Sequence, residues 1–158
     1  MKKLLKPILL ASLALTIIPL PISSNPAWAA PAQVQLKKSQ NIVIHLKHYT
    51  DDFQAAFMAL GLSNKLQAKG HKVKLLLSLR GVSLANKNQP HSHKLTEKGP
   101  RLSDLYKKFI KAGGEVIVCP HCSMMAGLKA DQLMPGAKIS SKGDFLNAIV
   151  DAEKVIDW

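Results

Sequence analysis

Only two of the 158 residues are cysteines, Cys119 and Cys122. So small a set excludes a scaffold held by disulfides, and a pair this close cannot staple distant parts of a fold. Closing so short a ring stabilises by only roughly 2 kcal/mol in the loop-entropy picture, less than a longer loop would give. A second Cys-x-x-Cys and a spaced histidine pair are both missing, so no complete zinc-ligand pattern is present. Nor is there a glycine-rich phosphate loop, and no tightly bound organic cofactor is implied. Acids are scarce as well: 10 against 22 lysines and arginines, for a net charge of +12. An excess of this size favours anionic surfaces or acidic partners. Aromatics make up only 5% of the chain and the lysines are spread along every element, which is not a nucleic-acid footprint. The plain reading of the charge is a solvated basic surface. Internal repeats and low-complexity segments are absent.

What is present begins with a leader. Lys2, Lys3 and Lys6 precede an uncharged apolar run from Ile8 to Ile18, and Ala27-Trp28-Ala29 offers a small-x-small cleavage site. The apolar stretch, which continues past Ile18 over Pro19 and Pro21, is short for a membrane span, which needs about 20 apolar residues. Residues 1–29 are therefore expected to be a signal peptide, with a retained anchor as the alternative. No cysteine lies near the cleavage site, which excludes lipid attachment there, and no twin-arginine pair occurs. The leader holds three of the basic residues and none of the acids, so its removal leaves +9. The remaining charge is uneven: from Asp131 to Trp158 five acids face three lysines. The mature chain is long enough for one domain with one core.

After a polar linker over residues 30–40, strand and helix signals alternate. Asn41 to Leu46 is a β-branched run and reads as a first strand. Thr50 or Asp51 caps the next helix, whose Phe53, Ala56, Phe57 and Leu60 share a face and which Gly70 stops. Lys72 to Leu79 is the second strand, ended by Arg80-Gly81. The polar stretch from Asn86 to Arg101 is too long for a simple connection and reads as functional or mobile. Ser103 caps a helix bearing Leu105, Tyr106, Phe109 and Ile110, which Gly113-Gly114 terminates. Glu115 to Val118 forms the third strand and delivers Cys119, and Ser123 to Leu128 begins a helix. Gly136 to Ile139 reads as a short fourth strand. Ser141-x-x-Asp144 looks like a capping box for a helix with Phe145, Leu146, Ile149 and Val150, and Lys154 to Asp157 is the last strand. Such alternation predicts a layered α/β domain, three layers deep (α/β/α), with a mostly parallel sheet of four to five strands.

Open parallel sheets bind ligands outside the carboxyl ends of their strands. The segments leaving those ends are Lys47 to Asp52, Arg80 to Arg101, and Cys119-Pro120-His121-Cys122. The cysteines are thus expected to share one edge with His48, His91 and His93. Vicinal thiols suit exchange chemistry, because one attacks and the other resolves. Cys119, at a strand end just ahead of a helix, lies where unpaired N–H groups and the helix dipole favour a thiolate, and a protonated His121 adds to that. His45, within a strand, is read as packing or hydrogen-bonding there, and His71 as a surface residue. Met124 and Met125 are read as packing the start of a helix.

His45-Leu46-Lys47-His48 followed by Thr50-Asp51-Asp52 and Ala55 to Leu60 resembles the opening of DsrE-family domains. Leu79-Arg80-Gly81-Val82 resembles that family's exit from its second strand. Lys111-Ala112-Gly113-Gly114 before Val118-Cys119-Pro120-His121-Cys122 resembles the DsrE/DsrF-like group, so that residues 41–158 read as one DsrE-like domain. The resemblance implies a three-layer fold, assembly as trimers or hexamers, and a reactive cysteine at position 119 that carries persulfide sulfur in relay members. This chain departs from the pattern in its leader and in its second cysteine. Cys-Pro-His-Cys is also similar to the dithiol of periplasmic disulfide oxidases with a thioredoxin fold. The motif comes too late in the chain for that fold, so the tetrapeptide reads as convergent chemistry.

Together these features predict an exported, periplasmic or secreted protein that handles thiol, disulfide or persulfide sulfur through Cys119. Cys122 is the resolving partner, His121 modulates the thiolate, and Asp51 is a further residue near the site. Its partners are protein or small-molecule thiols and further copies of itself, with no nucleic acid, no resident cofactor and no membrane span once the leader is gone. The chief alternative is a zinc or copper site built from Cys119, Cys122, His91 and His93. A non-catalytic oligomeric binding module, in which the pair is merely structural, is the third class.

Overall fold

The computed structural model describes residues 38–158, so the expected signal peptide over 1–29 and most of the expected linker over 30–40 lie outside the described residues. Five strands alternate with four α-helices: β1 (Asn41–Leu46), α1 (Phe53–Ala68), β2 (Lys72–Leu77), α2 (Leu102–Lys111), β3 (Glu115–Val118), α3 (Pro120–Met125), β4 (Ala137–Ile139), α4 (Lys142–Val150) and β5 (Lys154–Asp157). A 3₁₀ segment, Leu79–Ala85, follows β2. The sheet order is β4-β3-β2-β1-β5, and every pairing is parallel. The chain therefore winds one way from β1 to β4 and then returns across the sheet to place β5 beside β1.

Alternation along the strands divides the interior in two. Ile42, Ile44 and Leu46 of β1, Leu75 and Leu77 of β2, and Val116 and Val118 of β3 pack with Ala56, Phe57 and Leu60 of α1 and Leu102, Tyr106 and Phe109 of α2. The intervening Val43, Leu76 and Ile117 face the other way, onto Ala148 and Phe145 of α4. This second cluster is small, and Leu146 and Val150 on α4 remain 61% and 79% exposed. The three-layer α/β/α reading holds, with an all-parallel sheet of five strands. No helix among the described residues is long and apolar enough to cross a membrane.

Several local expectations change. Asp52 caps α1, its Oδ1 accepting from the Ala55 N–H at 3.0 Å, in place of Thr50 or Asp51. Asp51 is already committed to a tighter turn, accepting from the Tyr49 N–H at 3.0 Å. β2 stops at Leu77, because Leu79 enters the left-handed region at φ +48°. α3 starts at Pro120, which needs no N–H partner at a first helical position. α2 starts at Leu102 with no side-chain cap, so Ser103 is not its cap. Loop carbonyls do that work: the Leu102 N–H donates to the His93 oxygen and the Ser103 N–H to the His91 oxygen, both at 2.9 Å. Ser141 does cap α4, accepting from the Asp144 N–H at 3.1 Å.

Those carbonyls also answer what the 86–101 stretch does: it is strapped to the domain. The buried Tyr49 donates its hydroxyl to the Pro90 oxygen at 2.6 Å, and burial pushes that hydroxyl's pKa up to about 12. Tyr49→Phe is expected to cost about 1 kcal/mol, the worth of one buried hydrogen bond. It should also speed tryptic cleavage at the exposed Lys94 and Lys98. Unchanged cleavage at both lysines would show that the strap does not depend on this bond.

Candidate functional site

Three strands end together at the edge where the two cysteines lie. The Cys119 N–H donates to the Leu77 oxygen at 2.9 Å, carrying the β2–β3 ladder one residue past the end of β3. Cys119 then becomes the N-cap of α3, and its carbonyl accepts from the Ser123 N–H at 2.9 Å and the Ser123 hydroxyl at 2.7 Å. The Cys119 sulfur accepts from the Cys122 N–H at 3.4 Å. The two cysteines approach to 3.0 Å, both half-buried, and are not disulfide-bonded.

β2 contributes the other wall. Leu79, the first residue of the 3₁₀ segment after β2, is the one non-glycine with positive φ among the described residues. A left-handed leucine is disfavoured by contact between Cβ and the following carbonyl. Burial pushes the Cys122 thiol up, and the hydrogen bond and charge of Cys119 push it further in the same direction; the Leu79 amide opposes this only in part.

Beside the sulfurs, a polar chain crosses three strands. Ser78 Oγ lies 2.6 Å from His45 Nε2, and His45 Nδ1 lies 2.8 Å from Asp157 Oδ1. Lys47 binds the second carboxylate oxygen of Asp157. Burial lowers the His45 pKa, with Lys47 adding to the effect and Asp157 opposing it. Asp157 itself is held below the usual carboxylate range, first by its bond to Lys47. Nothing in the local sequence marks Ser78 or Asp157. Only the return of β5 to the side of β1 brings Asp157 to His45.

The remaining candidates fall in different places. His121 stands exposed on the first turn of α3, between the cysteines. Asp51 pairs with His48 at 2.8 Å and lies 3.9 Å from Arg80. The bonds from His48 and the Tyr49 amide hold its carboxyl down at about 2. His91 and His93 are engaged elsewhere: His91 Nε2 bonds the Leu84 oxygen at 2.9 Å and its ring stacks on Tyr49, while His93 packs on Phe53 with ring centroids 4.1 Å apart. His71, read as a surface residue, is instead buried, with Nδ1 accepting from the Gln40 N–H at 3.2 Å. Met124 and Met125, expected to pack, stand 68% and 75% exposed. Among the described residues no group of three or more His, Cys, Asp or Glu side chains is arranged to hold a metal ion. Cys119, Cys122, His91 and His93 thus do not assemble as one ligand set. A cavity of about 540 Å³ opens at the opposite edge, around the strand starts at Asn41, Lys72 and Glu115, away from these groups.

Comparison with known proteins agrees with this architecture. A family model described as the DsrE/DsrF-like family matches residues 40–158. The uncharacterized protein MJ0989 of Methanocaldococcus jannaschii is 29% identical over 105 residues, covering 66% of this chain and 88% of the relative. The crystal structure of the ychN protein from E. coli superposes with a TM-score of 0.64 at 19% identity, covering 75% of this chain and 99% of that one. MTH1491 from Methanobacterium thermoautotrophicum, a protein of unknown function, gives 0.59 at 14% identity, covering 76% and 100%. At these identities the two structures speak to the fold alone.

Proposed function

The chain belongs to the DsrE/DsrF-like family, and from that premise we propose that it accepts and passes on sulfur at the thiol level through Cys119. The observation that carries this reading is the unbridged, half-buried cysteine pair 3.0 Å apart at the carboxyl edge of a parallel sheet. Two balanced reactions use that pair. In the first, the Cys119 thiolate attacks the terminal sulfur of a persulfide donor, the donor leaves as a thiolate, and Cys119 carries the sulfur. In the second, Cys119 attacks a substrate disulfide and expels one thiolate. Cys122 then attacks the Cys119 sulfur, expels the second, and the two electrons pass to the substrate. His121, exposed beside both sulfurs, offers the incoming group an imidazole.

Exposed Leu79, Met124 and Met125 give this edge an apolar rim suited to a protein partner that carries a thiol. The exposed Leu146 and Val150 of α4 suit contact with further copies of the chain. The leader pattern favours work outside the cytoplasm, where a dithiol is under redox control. The experiment is intact-mass analysis after incubation with glutathione persulfide and, separately, with oxidised glutathione. The expected products are a gain of one sulfur atom mapped to Cys119 and a loss of two hydrogens across the pair. A protein inert to both reagents would end this reading. The same spectra show whether protein recovered from cells begins near Ala30, and light scattering reads the assembly.

A further inference from the structure

We propose that Ser78, His45 and Asp157 form a proton relay that takes the thiol proton of Cys119 as its sulfur becomes a nucleophile, an inference that rests on the sulfur reading above. The chain of contacts is continuous: Asp157 Oδ1 to His45 Nδ1 at 2.8 Å, then His45 Nε2 to Ser78 Oγ at 2.6 Å. An ionised carboxylate only accepts, so Nδ1 carries the imidazole proton and Nε2 is left to accept from the serine hydroxyl. Ser78 follows Leu77, which pairs with Val118, so Ser78 and Cys119 leave neighbouring strands side by side. Ser78, two residues past Leu76, keeps that residue's face of the sheet and meets His45 there. The Leu77 carbonyl, immediately before Ser78, accepts from the Cys119 N–H.

Ser78 is only 8% exposed, so a bulky substrate does not reach its hydroxyl. The hydroxyl is placed to pass a proton inward. In the step proposed, the Cys119 S–H bond breaks as its proton goes to Ser78 Oγ, while the Ser78 proton goes to His45 Nε2. The products are a Cys119 thiolate and a His45 imidazolium held by the Asp157 carboxylate, and the proton returns when a thiolate leaves. Around His45 the facing groups are Asp157 from β5, Lys47 from β1, Ser78 after β2 and the ring edge of Phe145 from α4. Burial lowers the His45 pKa, which favours the neutral imidazole that a base must present.

The test follows iodoacetamide alkylation of Cys119 against pH in the Cys122→Ser protein. His45→Gln and Ser78→Ala should each slow alkylation at pH 7 about tenfold and move the inflection up by about one unit. Asp157→Asn should shift it less, in the same direction. Ser78→Thr keeps a hydroxyl and should restore the parent curve, an outcome that a packing role for Ser78 would not produce. If the parent inflection lies below that of an ordinary thiol and neither His45→Gln nor Ser78→Ala moves it, the relay is overturned and the sulfur reading stands. A parent curve like that of a free thiol, with no persulfide formed on Cys119, overturns both.

Discussion

Replacing Gly81 with alanine is expected to destabilise the domain by about 3 kcal/mol and to loosen the cysteine pair with it. A Cβ built on Gly81 falls 2.3 Å from the Leu46 carbonyl oxygen and 2.9 Å from its carbon, with the Lys47 carbonyl carbon at 3.2 Å. These are backbone atoms of a central strand, so none can swing aside as a side chain would. The Gly81 N–H also donates to the Lys47 and Ser78 oxygens, both at 2.9 Å, which fixes how closely the 3₁₀ segment sits on the end of β1. That segment buries Val82, Leu84 and Ala85 and begins directly after Ser78, beside the strand ends that carry the cysteines. A shift forced at Gly81 therefore has to move the core, the sulfur environment, or both. Gly143 is the control: its Cβ would meet nothing closer than the Ser141 hydroxyl at 3.8 Å, in the first turn of α4. Alanine there should leave stability within about 0.5 kcal/mol. Urea titration of both variants measures the contrast. A Gly81→Ala protein less than about 1 kcal/mol from the parent would show that the strand end yields more easily than its geometry implies.

The same region shows where the sequence is readable and where it is not. The five strands announce themselves as short apolar or β-branched runs, and Val118-Cys119 is legible as a strand end because Gly113-Gly114 starts the count and Pro120 stops it. The 3₁₀ segment is hidden, because Leu75 to Leu79 is one unbroken apolar run apart from Ser78. Only the left-handed Leu79 ends the strand early, and no local rule assigns that conformation to leucine. Asp51 and Asp52 illustrate a competition between adjacent residues of the same type. Either suits an N-cap, and the turn that claims Asp51 through the Tyr49 amide leaves the helix to Asp52. His91 and His93 do not form a cluster with the cysteines. Composition puts His91 and His93 in a polar loop, yet Tyr49 and Phe53 offer them aromatic faces, and they pack there. His45, read as hydrogen-bonding within its strand, does so. Its partners, 33 and 112 residues away, become visible only once the strand order is known.

The last expected result separates the two sulfurs. At pH 7, Cys119 in the Cys122→Ser protein should alkylate at least about tenfold faster than Cys122 in the Cys119→Ser protein. Alkylation follows the thiolate fraction, which for an ordinary thiol with a pKa of about 8.5 is a few per cent at neutral pH and falls tenfold for each further unit. Burial pushes the Cys122 thiol up, and that cause survives the loss of Cys119. Cys122 also packs against the main core, which restricts the approach of a reagent. Cys119 stands at the N-cap of α3, where its sulfur accepts the Cys122 N–H. The Cys122→Ser substitution leaves that backbone donor in place, so Cys119 keeps this hydrogen bond in the test protein. Retaining protons on Cys122 also fits a resolving role: it should ionise late, after Cys119 has formed a mixed disulfide and the neighbouring charge is gone. Equal rates in the two variants would remove the division of labour, and a faster Cys122 would exchange the roles of the attacking and resolving sulfurs.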